Sequence, residues 1–503
     1  MNFAPPAPAT TAPRTPAAAA SPDRALLAAL AAYALVALVL RWPLLTDPVV
    51  HLDEQFYRLV GERMLSGAIP YVDIWDRKPV GLFLLYAALG WISRGDILAV
   101  NLAATASAAA TALVVHVLAR RLASPRAAWL AGLFTLAAMG LFDCAGGQTP
   151  TFYDLPMALA ALVVVRAGEH GDATLARSGA AAMLLVGIAA QLKETALFEG
   201  AFFGLALTVR ALVAGWRLGR VAHVALGWAA LAFAPSLLAF AAYALAGHGA
   251  AFIQASVTSI FARRDFADSS RPELIKSLLL LLPLWAAALT GGVLARRRAP
   301  PATHRFLVGW ALVALAAFLG FGTWYDHYVV PVLVPMSVLA APVFDRPGCA
   351  GKAWIAALPL AASLAAPPVA HANVAQRGTR HEVEAAARAI EGGLGGRCLY
   401  VHEGDPALYT ATGACLATRY AFPPHLATLE EVAALGVDPQ AEVRRIMASR
   451  PGVVAMLAQP QGFHPNPATR AIVQAALDRD YVLYARPTLG TQHYLLYRLN
   501  SRR

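Results

Sequence analysis

The 503-residue chain is 58% hydrophobic and only 14% charged, with a mean hydropathy of +0.54. Soluble chains average about 25% charged residues, so this composition excludes an ordinary soluble enzyme and identifies a polytopic membrane protein. The net charge of +11 does not point to nucleic acid, because the cations sit in short clusters between apolar runs, as the positive-inside rule requires.

Residues 1–22 are rich in Ala, Pro and Thr and read as a disordered tail. The apolar run 25–45 has no A-x-A-like site after it and is expected to remain as an uncleaved first span. A crossing needs about 20 apolar residues. Further spans then fall near 97–119, 127–143, 155–167, 178–193, 195–212, 222–246, 275–294, 306–323, 327–343 and 353–370, which makes eleven. The run "VGLFLLYAALGWISR" (80–94) is short for a span and reads as an interfacial helix.

With the N-terminus in the cytoplasm, the inner loops hold Arg120, Arg121, Arg126, Arg166, Arg177, Arg217, Arg220, Arg296, Arg297, Arg298, Arg305, Arg346 and Lys352. Loops 46–96, 143–154 and 247–274, and everything after about 371, then face outward. Strand-like runs ("CLYVH", "GVVAML", "YVLYA", "HYLLYRL") alternate there with helical stretches ("HEVEAAARAIEGG", "DPQAEVRRIMAS"). The expected architecture is an α-helical membrane domain over 23–372 and a small extracytoplasmic α/β domain over 373–503. Cys398 and Cys415 form one bridge if that domain faces an oxidising compartment, or stand as two buried thiols.

The ionisable residues near the spans collect on the outer side. Asp53 and Glu54 follow the first span, and Asp73, Asp76, Arg77 and Lys78 close the first loop. Asp154 ends the second outer loop, Lys193 and Glu194 sit at a turn, and Asp326, His327 and Tyr328 open the tenth span. Singly, such residues serve as helix caps or headgroup anchors. Together they are costly at membrane depth and mark a site. A carboxylate beside cations suits a reaction with an anionic leaving group: the carboxylate takes a proton and the cations hold a departing phosphate.

In loop 247–274, Phe252, Ile253, Val257, Ile260 and Phe261 recur at about helical spacing before Arg263 and Arg264. That pattern fits an amphipathic helix on the membrane, its arginines reaching either for phosphate or for ordinary headgroups.

"HLDEQFYRLVGERMLSGAIPYVDIWDRKPVGLFLLY" (51–86) resembles the first outer loop of GT-C glycosyltransferases, closest to the branch of protein O-mannosyltransferases and lipid A aminoarabinose transferase. "FYDLPMAL" and "HYVVPVLVP" resemble the family's second acidic position and its late His-Tyr segment, in the same order. The resemblance spans roughly 25–345 and implies transfer of a sugar from a polyprenyl-phosphate donor to a lipid, glycan or protein acceptor at the outer face of the cytoplasmic membrane, with inversion. Asp53 matches the carboxylate that activates the acceptor, Lys78 the lysine near it, and Asp154 the second acidic position. Glu54, Tyr57, Arg263, Arg264, His327 and Tyr328 are expected around the donor and its phosphate. A divalent ion is left open, with Glu54 and Asp154 as candidate ligands, since no His/Cys spacing marks a metal site. A transporter of a lipid-linked sugar is the rival; it would put its charges near the bilayer midplane and show repeated halves.

Overall fold

The computed structural model describes residues 22–49, 51–93, 95–169, 174–264, 267–320, 322, 324–460, 462 and 464–500. The tail expected over 1–22 lies, apart from Pro22, outside the described residues.

Helix α1 (Pro22–Arg41) leads into loop 46–96, which is itself helical: α2 (Leu52–Leu65) and α3 (Val80–Ser93). The bundle continues through α4 (Ile97–Ala119), α5 (Pro125–Leu141), α6 (Thr149–Glu169), α7 (Leu175–Ala190), α8 (Ala196–Val213) and α9 (Leu218–Leu245). The short α10 (Gly249–Ile253), a π-helical turn (Gln254–Thr258) and α11 (Ser259–Ala262) form the next outer segment. Then come α12 (Ala267–Leu280), α13 (Leu282–Ala295), α14 (Pro301–Leu319), α15 (Val330–Ala340), α16 (Gly348–Ile355), α17 (Ala361–Arg377) and α18 (Arg380–Leu394).

Among the described residues, eight helices are long and apolar enough to cross a membrane, and a ninth is gained if α12 and α13, bent by 49°, form one broken span. The expected eleven is reached only by adding α5 and α7, apolar helices of 17 and 16 residues that fall short of a full crossing. Both are packed into the bundle, α5 against α4 and α7 against α6 and α9.

Sequence and packing explain how α2 and α3 are held. The His51 side chain caps α2 by accepting from the Asp53 N–H at 3.2 Å. One face of α2 buries Phe56, Tyr57, Leu59 and Val60, each worth about 1.5–3 kcal/mol when fully buried outside lipid. A Cβ on Gly61 would lie 2.7 Å from the Ala87 nitrogen, so the close approach of α2 to α3 requires glycine there. Helix α3 turns Val80, Leu82, Phe83 and Tyr86 inward and leaves Leu84, Trp91 and Ile92 exposed.

The C-terminal region starts at α18, whose first turn carries a capping box between Thr379 and Glu382. Four of its five strands lie where the strand-like runs predict: β1 (Leu399–Val401), β2 (Val453–Leu457), β3 (Tyr481–Ala485) and β5 (Gln492–Leu499). The short β4 (Thr488–Leu489) pairs with β5. The sheet order is β1-β2-β5-β3, with β1 parallel to β2 and β5 antiparallel to its neighbours. Every residue of β2 is buried, as a strand covered on both faces demands. Cys398 and Cys415 form a disulfide.

This domain is tied to the loops beside it by hydrogen bonds to its backbone carbonyls. The Trp75 N–H donates to the Arg419 carbonyl at 2.8 Å, and its indole stacks edge-on to His425. Arg63 donates to the Ala414 carbonyl at 2.6 Å, and Gln254 to the Ala434 carbonyl at 3.0 Å.

Candidate active site

Outer loops, helix ends and C-terminal domain enclose a cavity of about 770 Å³. Its floor is built from the first loop. The start of α2 presents Asp53, Phe56 and Tyr57, and the end of the loop presents Asp76, Arg77 and Lys78. Tyr71 holds that second group in place. Its φ of +70° lies where a bulky side chain rarely goes, yet its ring is buried against Tyr243 and Phe252 and its hydroxyl donates to the Lys78 carbonyl at 2.7 Å.

Asp53 is the centre of a relay. Its Oδ2 accepts from Gln148 Nε2 at 3.1 Å and lies 4.0 Å from His51 Nδ1. The other ring nitrogen of His51 faces Asp143 at 3.7 Å, which also receives Arg377 at 3.6 Å. Burial alone would raise the Asp53 carboxyl, but His51, Lys78 and Gln148 outweigh it and hold the group below the usual carboxylate value. The neighbouring Glu54 has the opposite fate: burial, only partly offset by the Gly147 backbone hydrogen bond and the Arg377 charge, pushes its carboxyl up to about 8. Two adjacent carboxyls are thus shifted in opposite directions, Asp53 down and Glu54 up.

The cationic side of the cavity is shared by several elements. Burial depresses Lys78, but Tyr328, Glu194, Asp53 and Asp76 reverse this and raise it above its ordinary value. Lys193, between α7 and α8, lies buried with its Nζ 4.1 Å from the centre of the Tyr328 ring, and burial together with the Lys78 charge pushes it down to about 7. The π-helical segment delivers Arg263, which donates to Glu431 at 3.1 Å and reaches the Tyr325 hydroxyl at 3.5 Å. Glu431, from the C-terminal domain, also takes a bidentate pair of bonds from Arg77. His327 packs edge-on to His51, with ring centres 5.6 Å apart, and to Tyr328 at 4.6 Å.

The expected residues therefore divide. Asp53, Tyr57, Lys78, Arg263, His327 and Tyr328 line the cavity. Arg264 is exposed, with its N–H on the Glu430 carbonyl, and does not line it. Glu54 and Asp154 lie behind the wall, fully or almost fully buried. A Cβ on Gly146 would come within 2.5 Å of a Glu54 oxygen, so the second outer loop closes over that carboxyl. Among the described residues no three His, Cys, Asp or Glu side chains converge to hold a metal ion.

Arg77 and Lys193, named in the ionisable cluster but given no role of their own, and Gln148 and Glu431, which were not named, complete the site. Lys193 carried a signal, a lone cation at the end of an apolar run. Gln148 and Glu431 carried none, being ordinary polar residues placed 95 and 354 positions from their partners.

A bundle of apolar helices, a helical first loop and an α/β region roofing one acidic and basic cavity give a fold shared with solved glycosyltransferase structures. The structure aligns with ArnT from Cupriavidus metallidurans bound to undecaprenyl phosphate at a TM-score of 0.64 and 18% identity, over 95% of this chain and 98% of that one. The Archaeoglobus fulgidus oligosaccharyltransferase tethered with an acceptor peptide aligns at 0.53 and 13% identity, over 96% of this chain and 74% of that one. The mycobacterial arabinofuranosyltransferase AftD aligns at 0.50 and 13% identity, over 96% of this chain and 40% of that one. No protein-family model and no curated protein matches the sequence.

Proposed function

We propose that this protein is an inverting glycosyltransferase that moves a sugar from a polyprenyl-phosphate donor to a lipid, glycan or protein acceptor. It acts at the outer face of the cytoplasmic membrane, with residues 23–372 as the membrane-embedded catalytic domain and 373–503 as a periplasmic domain. The observation that carries the reading is the juxtaposition in one cavity of an ionised carboxylate, Asp53, with Lys78 and Lys193. The Cys398–Cys415 bridge supports an oxidising compartment for the C-terminal domain.

In the reaction, Asp53 takes the proton of the acceptor hydroxyl while its oxygen attacks the anomeric carbon from the face opposite the phosphate. The bond from that carbon to the phosphate oxygen breaks, positive charge grows on the sugar as in glycosidase transition states, and the leaving polyprenyl phosphate gathers negative charge. Lys78, Lys193 and Arg263 stabilise that charge from fixed positions, and Tyr325 and Tyr328 shape the same wall. Gln148 and His51 keep Asp53 ionised. Asp154 is buried and does not line the cavity, so it has no contact with the reacting atoms.

The test is turnover of radiolabelled polyprenyl-phosphate sugars by the purified protein with membrane extract as acceptor source, with and without EDTA, beside Asp53→Asn. Release of polyprenyl phosphate by the wild type alone, with an inverted anomeric product, is expected; a retained anomer or equal release by the variant overturns the reading.

A further inference from the structure

Arg77 and Arg263 converge on a single carboxylate, Glu431, which only the C-terminal domain supplies. The Glu431 side chain is 8% exposed and lines the cavity with both arginines. The segment that bears it is fixed at both ends. On one side the Arg264 N–H bonds the Glu430 carbonyl at 3.2 Å, and on the other Gln254 bonds the Ala434 carbonyl at 3.0 Å. Two buried guanidiniums side by side repel each other, and burial with the Arg263 charge pushes Arg77 down to about 10. An anion between them is therefore needed in every state of the protein. A carboxylate and a phosphate oxygen pair present the same two-acceptor edge to an arginine fork.

Resting on the donor reading above, we propose that Glu431 is a built-in competitor of the donor phosphate. It occupies Arg77 and Arg263 in the empty cavity, yields them to the phosphate of a bound polyprenyl phosphate, and takes them back as that product leaves. Lys78 and Lys193 make the first hold on the phosphate, and the arginines are exchanged between phosphate and Glu431. The carboxylate thereby keeps the site from binding its anionic product too tightly, since release of a lipid phosphate from four converging cations would be slow.

The experiment measures binding of undecaprenyl phosphate to the full-length protein in lipid nanodiscs, with undecaprenol as the uncharged control. It compares wild type, Glu431→Gln and Lys78→Met, and follows release of the product phosphate. Glu431→Gln keeps the shape and one acceptor while removing the charge, and circular dichroism with a thermal melt verifies its fold. The expected result is affinity at least about fivefold tighter for Glu431→Gln and slower product release, with Lys78→Met weakened, since one charge-assisted bond regained is worth that much. Unchanged or weaker binding by Glu431→Gln, with Lys78→Met still weakened, overturns the competitor role and makes Glu431 a fixed support of the arginines. Equal binding of undecaprenol and undecaprenyl phosphate by the wild type overturns the donor reading itself and the competitor with it.

Discussion

Gln148 donates its side-chain amide to Asp53 at 3.1 Å, joining the second outer loop to the base in the first. The bond stabilises the ionised carboxylate, so its loss raises the Asp53 pKa. The base is active above its own pKa and loses activity as pH falls through it. Gln148→Leu is therefore expected to move the acid limb of the kcat/KM profile to higher pH. Asp53→Asn is expected to lower kcat by about 10²–10⁴-fold at every pH. A pH-rate series on the three proteins checks both.

Lys78 and Lys193 line one cavity; under the proposed function both face the donor phosphate, and each is expected to weaken polyprenyl-phosphate binding about tenfold or more on replacement by Met. The double variant should lose less than the two effects combined, because the residues act on the same charge. A binding isotherm for each variant against the phosphate and the free prenol separates this electrostatic loss from a general loss of lipid affinity.

Glu54, held neutral with its carboxyl at about 8, is expected to accept Gln with activity within a few-fold of wild type at pH 7. An acid raised in the folded state stabilises fully below its unfolded value near 4.5 and loses that contribution as pH rises through about 8. The melting temperature should fall between roughly pH 5 and 8 in the wild type, and fall less in Glu54→Gln, with the unfolded reference from model carboxyls. Thermal melts across that range check the sign.

Gly146→Ala drives a Cβ to within 2.5 Å of the Glu54 carboxyl and is expected to destabilise by about 1–3 kcal/mol. Glu54→Ala in the same chain removes the obstruction, so the double variant should melt higher than Gly146→Ala alone. A double-mutant cycle on melting temperature reads this coupling directly.

How much of this was readable beforehand depends on sequence distance. Asp53 and Lys78 were legible because charge concentrated in one short loop after an apolar run stands out, and the alternating runs after residue 398 named four of five strands. Arg263 was legible from its place after a helical apolar repeat, while the adjacent Arg264 turned outward, a choice of direction that spacing alone does not encode. The carboxyl of Glu54 does not line the cavity because the small Gly146 lets the second loop close over it, and Asp154 is buried away from the lining. The pairing of Arg77 with Glu431 spans 354 residues and depends on how the C-terminal domain docks, which no local pattern reveals.

The bond from the Trp75 N–H to the Arg419 carbonyl joins backbone to backbone, so among single substitutions only proline at position 75 removes its donor. A chimera that grafts another enzyme's C-terminal domain after residue 377 would keep every catalytic side chain of the first loop and still lose the register of Lys78. Acceptor preference in this architecture should therefore be altered by editing within the roof, and not by exchanging it.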